Sequence, residues 1–344
     1  MTYINNAHTT VIKPEGVKNA APATSAEAAE RLARLFKVKN PANIIFTQDE
    51  VQAMNIAMRS MIKPGDHVIT TVFEQEAVLN ILEDMKAEGV EVTYIGVNPY
   101  GELKYQEIEG AVRENTAAMV ICHGSNVTGN ITDMEFVTNI ARRYKLPVIT
   151  DGSQTAGAAD INLETLGVQV YCFSGHRKLM GPYGIGGLII KDGVQLDEKL
   201  LSGIGPVAPE KLGGLCAALD FIREKGIYGI SMQPHRFAKR FFEAVQSMDK
   251  VTVYGDFGTG IRIPTVSIKV EGFTPEEVKL HMRKNHIAVE CGIMDAPMLH
   301  EALGTSEHGL TRFSFGYFNS RMDVNDCIWC IMELLGLDDL YLLA

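Results

Sequence analysis

The chain has 344 residues, of which 46% are hydrophobic, and its formal net charge is -10. This length favours a large domain plus a smaller one over a single core. The acidic balance argues against nucleic acid or an anionic membrane as the main partner. No run of eighteen apolar residues occurs, so the sequence predicts no bilayer-spanning helix.

The N-terminus and the cysteines indicate where the protein resides. Residues 1–6 lack the charged and apolar regions of a signal peptide. The six cysteines lie far apart, mostly inside apolar runs, which is typical of reduced, buried thiols. We therefore expect a cytoplasmic protein.

Short β-branched runs alternate with helical segments through the first part of the chain. A helix over 26–38, with Ser25 as its N-cap, comes first. Strands are predicted at 43–46, 67–70, 91–95, 118–122, 147–150, 170–173 and 187–190. Helices are predicted between them at 50–62, 75–88 and 132–144. This alternation predicts a parallel sheet covered by helices on both faces.

The pattern changes after about residue 205, where an α+β section follows two helices. The helices are predicted at 210–224 and 232–247, and later ones at 275–284 and 322–336. The strands of this section are predicted at 251–254, 265–270 and 311–315. We therefore divide the chain into an N-terminal segment that packs on the small domain, a large α/β domain and a small C-terminal α+β domain, at 1–25, 26–205 and 206–344.

Cys327 and Cys330 have the CxxC spacing of metal-binding and redox motifs. No second Cys or His pair lies nearby in the sequence to complete a zinc site, and the local pattern is helical and apolar. We prefer the interpretation of two core thiols on one helix.

Polar segments follow several of the predicted strands, and in open α/β sheets ligands bind beyond the carboxyl ends of strands. These segments are 123–129, 151–157 and 174–187, and Arg312 lies in a later strand. Asp151 ends a buried strand, and the element Ser174-Gly175-His176 follows about 25 residues later. A pyridine cofactor needs such an acid, because a carboxylate keeps the ring nitrogen protonated and the ring electron-withdrawing.

With these segments in order, and with 5–9 and 13–15 before them, the sequence resembles the cysteine desulfurase and selenocysteine lyase branch of the class V aminotransferases. The resemblance implies the fold type I of pyridoxal-phosphate (PLP) enzymes. That fold has a large domain with a mainly parallel, seven-stranded-type sheet between helices, and a smaller α+β C-terminal domain. It also implies PLP as the cofactor and a dimeric assembly.

The resemblance implies roles for individual residues. Asp151 would pair with the pyridinium nitrogen, and Gln154 and Asn126 would approach the ring hydroxyl. Arg312 would bind a substrate carboxylate through a two-pronged contact. Ser174 and His176 would face the phosphate. His123, which follows a strand, is a further candidate for a catalytic group.

Two neighbouring residues compete for the position of the Schiff-base lysine, which would join the cofactor. Aligned without gaps to the nearest subfamily, the Schiff-base position holds Arg177, whose guanidinium stays protonated and cannot form an aldimine. Other branches have a motif that is one residue shorter, and counting back from Gly181-Pro182 in that alignment places Lys178 at the position. We favour the ungapped alignment and keep Lys178 as the alternative.

Other departures also fall where the family does its chemistry. The turn that would hold the phosphate contains Asp49, Glu50 and Val51. Val51 lacks the expected hydroxyl, and the two acids place carboxylates where the phosphate dianion would lie. The ring-stacking His is replaced by Gln75, which could still cover the cofactor ring but cannot transfer a proton. The sulfur-accepting Cys is replaced by Asp295. The nearby cysteine is four residues away, at 291, and two segments at the mouth of the pocket are shorter than in the family.

Two main hypotheses follow from these departures, beside a third class, a binder of another small molecule in the vacated pocket, whose ligand the sequence does not name. The preferred one is a desulfurase-like protein with an eroded site, with or without bound PLP. It would act by forming a homodimer, a heterodimer with a related subunit, or a complex with a sulfur- or selenium-handling protein. The alternative is an active PLP-dependent lyase or aminotransferase that uses Lys178 as its Schiff base.

Overall fold

The computed structural model describes residues 1–258 and 262–337. Strand β1 (Thr2–Tyr3) is followed by helix α1 (Ser25–Phe36). Ser25 was expected to cap this helix, and that prediction is wrong, because Thr24 is the N-cap. The Thr24 hydroxyl accepts a hydrogen bond from Glu27 N–H at 3.2 Å, and the Glu27 carboxylate accepts one from Thr24 N–H at 2.8 Å.

A seven-stranded sheet forms the centre of the large domain. Its strands are β2 (Ile44–Thr47), β3 (His67–Thr71), β4 (Glu91–Ile95), β5 (Thr116–Cys122), β6 (Val148–Asp151), β7 (Val170–Ser174) and β8 (Gly186–Ile190). Their spatial order is β2-β8-β7-β6-β5-β3-β4. β3 to β7 pair in parallel, while β8 runs antiparallel to its neighbours β2 and β7. The predicted α/β fold with a mainly parallel sheet is confirmed.

Helices cover both faces of this sheet. They are α2 (Glu50–Met61), α3 (Glu76–Ala87), α4 (Gln106–Gly110), α5 (Met134–Tyr144), α6 (Leu163–Leu166), α7 (Glu198–Ser202) and α8 (Pro209–Lys225). Consecutive residues of a strand pack on opposite faces of the sheet. Val120 packs in the hydrophobic cluster with α2 and α3, and Ile121 packs in the cluster with α1, α5 and α8. Burial of strands on both faces explains why the sequence shows continuous apolar runs there.

The remaining elements build the smaller domain. They are α9 (Ile227–Val245), β9 (Val251–Tyr254), β10 (Thr265–Val270), α10 (Pro275–Lys284), β11 (Ile287–Ala288), β12 (Glu290–Gly292), α11 (Pro297–Ala302), β13 (Leu310–Ser314) and α12 (Arg321–Leu335). Four strands form an antiparallel sheet in the order β12-β13-β10-β9. β1 pairs in parallel with β11, with Thr2 opposite Ile287, so the N-terminal segment lies against this domain.

Helix α8 bears on where the two domains meet. Its buried residues Leu212, Leu215 and Leu219 join the same core as α1, whereas Phe237 and Phe241 of α9 join the core of the small domain. We therefore propose that the boundary lies after α8 rather than at residue 205. No helix in the described part of the chain is long and apolar enough to cross a membrane.

The paired cysteines of the CxxC sequence lie on α12. Cys327 and Cys330 are both buried and both have free thiols, so the prediction of two core thiols on one helix is confirmed. The other four cysteines are also free.

Candidate active site

The carboxyl ends of β5, β6 and β7 bring the predicted polar segments together. β6 lies between the other two, with Asp151 opposite Cys122 on one side and Cys172 on the other. Because the three strands are parallel, the residues that follow them meet at one edge of the sheet. Ser174 is the last residue of β7 and is fully buried at this edge.

Asp151 is a buried carboxylate with a fixed orientation. The Ser153 N–H donates to its Oδ1 at 2.9 Å, and Gln75 Nε2 faces its Oδ2 at 3.4 Å. Burial raises the pKa of Asp151, while the Ser153 donor and then the charge of Arg177 act in the opposite direction. Arg177 is therefore the basic group that acts most strongly on this carboxylate.

Arg177 bridges two parts of the site. Its Nη2 donates to Glu50 Oε1 at 2.9 Å, and its Nη1 donates to Gln75 Oε1 at 3.1 Å. The side chains of Arg177 and Glu50 are only 14% and 13% exposed, so this is a largely buried ion pair. A continuous chain of contacts thus runs from Glu50 through Arg177 and Gln75 to Asp151.

Glu50 is the first residue of α2, and neighbouring side chains accept hydrogen bonds from backbone N–H groups at this end of the helix. Asp49 is the N-cap, and its carboxylate accepts a hydrogen bond from Gln52 N–H at 2.8 Å. The Gln48 N–H donates to the side chain of Gln52 at 3.0 Å. Burial alone would raise the pKa of Glu50, but the facing Arg177 helps to hold it below its ordinary value. The carboxylate therefore stays ionised at neutral pH.

Lys178 has a different environment from its neighbour Arg177. It is 7% exposed, and its amine has no hydrogen-bond partner within the described residues. Burial, together with the charges of Arg312 and Arg177, lowers the pKa of Lys178 to about 7. A substantial fraction of this amine is therefore uncharged at neutral pH.

Arg312 on β13 joins the small domain to the site. Its Nη1 donates to the carbonyl of Asn126 at 3.1 Å, and its Nη2 donates to Asn5 Oδ1 at 2.8 Å. It is 3% exposed, and burial lowers its pKa to about 10, so it remains charged at neutral pH. The Arg312 guanidinium was expected to bind a substrate carboxylate through both of its Nη atoms. Each of these atoms already donates a hydrogen bond within the protein.

Two amides keep an acceptor free at the edge of the sheet. Asn126 Nδ2 donates to the carbonyl of Met294 at 2.7 Å, and Gln154 Nε2 donates to the carbonyl of Ala7 at 2.8 Å. The side-chain oxygens of both residues are buried and lack a hydrogen-bond partner among the described residues. Both amides are thus oriented by their NH₂ groups, and their acceptors are unused.

The two predicted histidines have partners inside the protein. His123 Nδ1 lies 2.9 Å from the Thr155 hydroxyl, and burial lowers the pKa of His123 to about 4. His176 Nδ1 lies 3.1 Å from the Thr9 hydroxyl, and its ring stacks on Tyr183 with centroids 4.1 Å apart. Burial lowers the pKa of His176 to about 4 as well, so both imidazoles are neutral at neutral pH.

The segment at the expected position of the sulfur-accepting cysteine is held against the site. The carbonyl of Met294 accepts the bond from Asn126, and the carbonyl of Asp295 accepts one from Glu76 N–H at 2.7 Å. Cys291 lies earlier, in β12, where it is opposite Thr311 of β13. Burial raises the pKa of Cys291 to about 12, so its thiol is protonated.

Sequence reasoning missed two residues that shape the site. Glu74 is fully buried, and its Oε1 accepts bonds from the Thr71 hydroxyl and Cys122 N–H, both at 2.8 Å. Burial raises the pKa of Glu74 to about 8, so it is protonated at neutral pH. Asn5 holds Arg312 across 307 residues of sequence. An acid directly after the apolar pair Val72-Phe73 was the available signal for Glu74, whereas no local pattern pairs Asn5 with Arg312.

The sequence of this chain matches the model of a known family. The sequence model of the class V aminotransferases matches residues 2–209 and 202–326, and the chain belongs to this family. PLP is the cofactor of the family.

Its curated relatives are described as cysteine desulfurases. A probable cysteine desulfurase of Halalkalibacterium halodurans is 27% identical over 327 residues, covering 87% of this chain and 79% of the relative. The cysteine desulfurase IscS of Vibrio vulnificus strain YJ016 is 28% identical over 328 residues, covering 88% and 78%. The chain is thus cysteine desulfurase-like.

Solved structures share the fold. The apo cysteine desulfurase of Thermococcus onnurineus superposes with a TM-score of 0.89 at 23% identity, covering 98% of this chain and 95% of that one. The cysteine desulfurase CsdA of Escherichia coli gives a TM-score of 0.86 at 21% identity, covering 97% and 94%. The expected PLP fold type I is confirmed by this likeness.

Proposed function

We propose that this chain is a cysteine desulfurase-like protein with an eroded active site, which forms no persulfide and acts by binding a protein partner. The observation that carries the proposal is the position of Arg177, which donates hydrogen bonds to Glu50 and to Gln75. Gln75 in turn faces Asp151. This environment supports the ungapped alignment, in which Arg177 replaces the Schiff-base lysine. A guanidinium cannot take over that role, because it remains protonated.

The residues on the phosphate side do not fit PLP. In the family the phosphate dianion is held by the N-terminal end of the helix that corresponds to α2. Here the ionised Glu50 occupies that end, and its counter-charge Arg177 is already paired with it at 2.9 Å. Asp49 caps the same helix end with a second carboxylate. A phosphate would have to displace Glu50 from its ion pair and lie beside two acids.

The ring side retains more of the family pattern. Asp151 is oriented by Ser153, and the free acceptors of Asn126 and Gln154 lie at the same sheet edge. These groups alone do not hold a cofactor whose phosphate and lysine contacts are replaced. We therefore propose that PLP is absent, and we route no chemical step through it.

Persulfide formation also lacks its acceptor. Asp295 lies at the expected cysteine position, and its backbone carbonyl accepts a hydrogen bond from the N–H of Glu76 in the first turn of α3. Cys291 is fixed in the small-domain sheet with a protonated thiol, which is a poor nucleophile. The geometry therefore favours a binding role over desulfuration.

The partner proposed for this binding role is a second copy of the chain, a related subunit, or a sulfur- or selenium-handling protein in the cytoplasm. We expect purified protein to elute as a dimer, since the fold of the family is retained over nearly the whole chain. Light scattering coupled to gel filtration measures the mass directly. A chain that stays monomeric, both alone and mixed with an active desulfurase from the same cell, would contradict the binding role.

One observation favours the alternative of an active PLP-dependent lyase or aminotransferase. The amine of Lys178 is buried without a partner in the described residues, and its pKa is about 7. An uncharged, desolvated amine is the form that attacks carbonyl carbons. Lys178 would then serve as the Schiff base, with Arg312 binding an amino-acid carboxylate.

Titration with PLP separates the two functions. We expect no visible absorption band beyond that of free PLP and its adducts with surface lysines, and Lys178→Ala should behave as the wild type does. Borohydride reduction followed by peptide mapping identifies any modified lysine, and Lys104→Ala controls for surface modification, because Lys104 is a partly exposed lysine. A stoichiometric band that maps to Lys178 and disappears in Lys178→Ala would establish the alternative.

A further inference from the structure

Helices α10 and α12 of the small domain place three metal-ligating side chains side by side. His281 lies in the last turn of α10, while Cys330 and Glu333 lie one turn apart on α12. One ligand atom from each residue lies within 4.8 Å of the other two. In the part of the chain that the structure describes, no second group of three such side chains comes as close.

The distances between these atoms suit a tetrahedral cation. His281 Nε2 and Glu333 Oε2 are 3.3 Å apart. Nitrogen and oxygen ligands about 2.0–2.1 Å from a tetrahedral zinc ion are separated by roughly 3.3–3.4 Å. The thiol completes a nitrogen, sulfur and oxygen set, since its sulfur lies within 4.8 Å of the other two ligand atoms.

A neighbouring amide already orients two of the three groups. Asn285 Nδ2 donates to Glu333 Oε2 at 3.2 Å and lies 3.4 Å from Cys330 Sγ. Such outer contacts fix the direction of metal ligands and contribute to affinity. The carboxylate of Glu333 is 65% exposed and the ring of His281 is 22% exposed, so a cation can enter from solvent.

We propose that His281, Cys330 and Glu333 bind a divalent transition-metal cation of the zinc type, with water at the fourth position. Imidazole, thiolate and carboxylate together favour Zn²⁺ or Co²⁺ over Mg²⁺ or Ca²⁺, which prefer oxygen ligands alone. Binding releases the thiol proton of Cys330 to solvent. His281 binds the cation as the tautomer that carries its proton on Nδ1, and the cation replaces the present contacts of Nε2 with Glu333 and the carbonyl of Cys330. The CxxC spacing is incidental to this site, because Cys327 is not among its ligands.

Titration of the full chain with Co²⁺ tests the site, because thiolate-bound cobalt has a charge-transfer band in the near ultraviolet. We expect one equivalent of Co²⁺ to give this band and one equivalent of Zn²⁺ to remove it. Cys330→Ser should abolish the band, and Glu333→Gln and His281→Gln should weaken binding tenfold or more. Calorimetric titration with Zn²⁺ measures the affinities.

Two other thiols provide matched controls. Cys327→Ser removes a buried thiol from the same helix, and Cys291→Ser removes the one half-buried thiol among the six cysteines. Both variants should bind as the wild type does. Absence of a cobalt band in the wild type overturns the proposal, and so does a band that survives Cys330→Ser or disappears in Cys291→Ser. His281→Gln and Glu333→Gln change partly exposed side chains, so they keep the test valid if Cys330→Ser does not fold. This site is independent of whether PLP binds.

Discussion

The two sides of the candidate active site differ in how their polar groups are satisfied. On the phosphate side, Glu50, Arg177 and Gln75 are linked to one another by hydrogen bonds of 2.9 and 3.1 Å. On the ring side, the oxygens of Asn126 and Gln154 are buried without a partner in the described residues. In the first group the two opposite charges are paired, although Arg177 Nε lacks a partner among the described residues, and Gln75 links the group to Asp151. The second group retains unused hydrogen-bond acceptors.

This contrast separates charges that compensate each other from a charge that is unpaired. Without Arg177, Glu50 would be an uncompensated buried charge, so the two residues depend on each other. The amine of Lys178 belongs with the ring side in this respect, because it too is buried and unpaired among the described residues. The comparison predicts opposite effects on stability when a charge is removed from each side.

The largest effect is expected from Arg177→Met. It leaves Glu50 buried without its counter-charge, and we expect the free energy of unfolding to fall by about 3 kcal/mol. Chemical denaturation at neutral pH measures this loss. Adding Glu50→Gln should recover most of it, because no charge is then left unpaired.

Arg113→Met is the control for this experiment. It breaks an ion pair with Glu91 whose side chains are 49% and 59% exposed, so we expect a loss of less than about 1 kcal/mol. If Arg177→Met costs no more than Arg113→Met, the phosphate side is not stabilised by its ion pair.

Much of the large domain could be predicted from the sequence, because its strands are buried on both faces and are bounded by turns. The strand predicted at 91–95 has the observed bounds of β4, and the one predicted at 118–122 is observed as Thr116–Cys122. The two-residue strands β1 and β11 were missed, since two residues show no periodicity. The Thr24 cap was available from the spacing of Thr24 and Glu27, which is that of a capping box.

The site was harder to predict, because its contacts join distant parts of the chain. Glu50 was recognised as an acid at a helix end, but its partner Arg177 is 127 residues away. The sequence alone left Arg177 and Lys178 as alternatives for one position. Their environments differ, since Arg177 donates hydrogen bonds to Gln75 and Glu50, while the amine of Lys178 has no hydrogen-bond partner in the described residues.

A smaller effect of opposite sign is expected from Lys178→Met. Methionine has a similar length and no charge, so it removes an unpaired amine from a buried position. We expect the free energy of unfolding to rise by about 1–3 kcal/mol at neutral pH. Lys104→Met changes a partly exposed lysine and should alter stability by no more than about 0.5 kcal/mol.

The pH dependence identifies the cause of the gain from Lys178→Met. The pKa of Lys178 is lowered from 10.5 to about 7, so the unfolded chain binds the proton more tightly than the folded one. Between these values the wild type gains stability as the pH rises, and it loses stability as the pH falls towards 7. The advantage of Lys178→Met should therefore be largest near pH 7 and below, and it should shrink towards pH 10.5. Denaturation curves at several pH values measure this slope. A variant that is less stable than the wild type at pH 7 would show that the amine has a stabilising partner, and the contrast between the two sides would then be wrong.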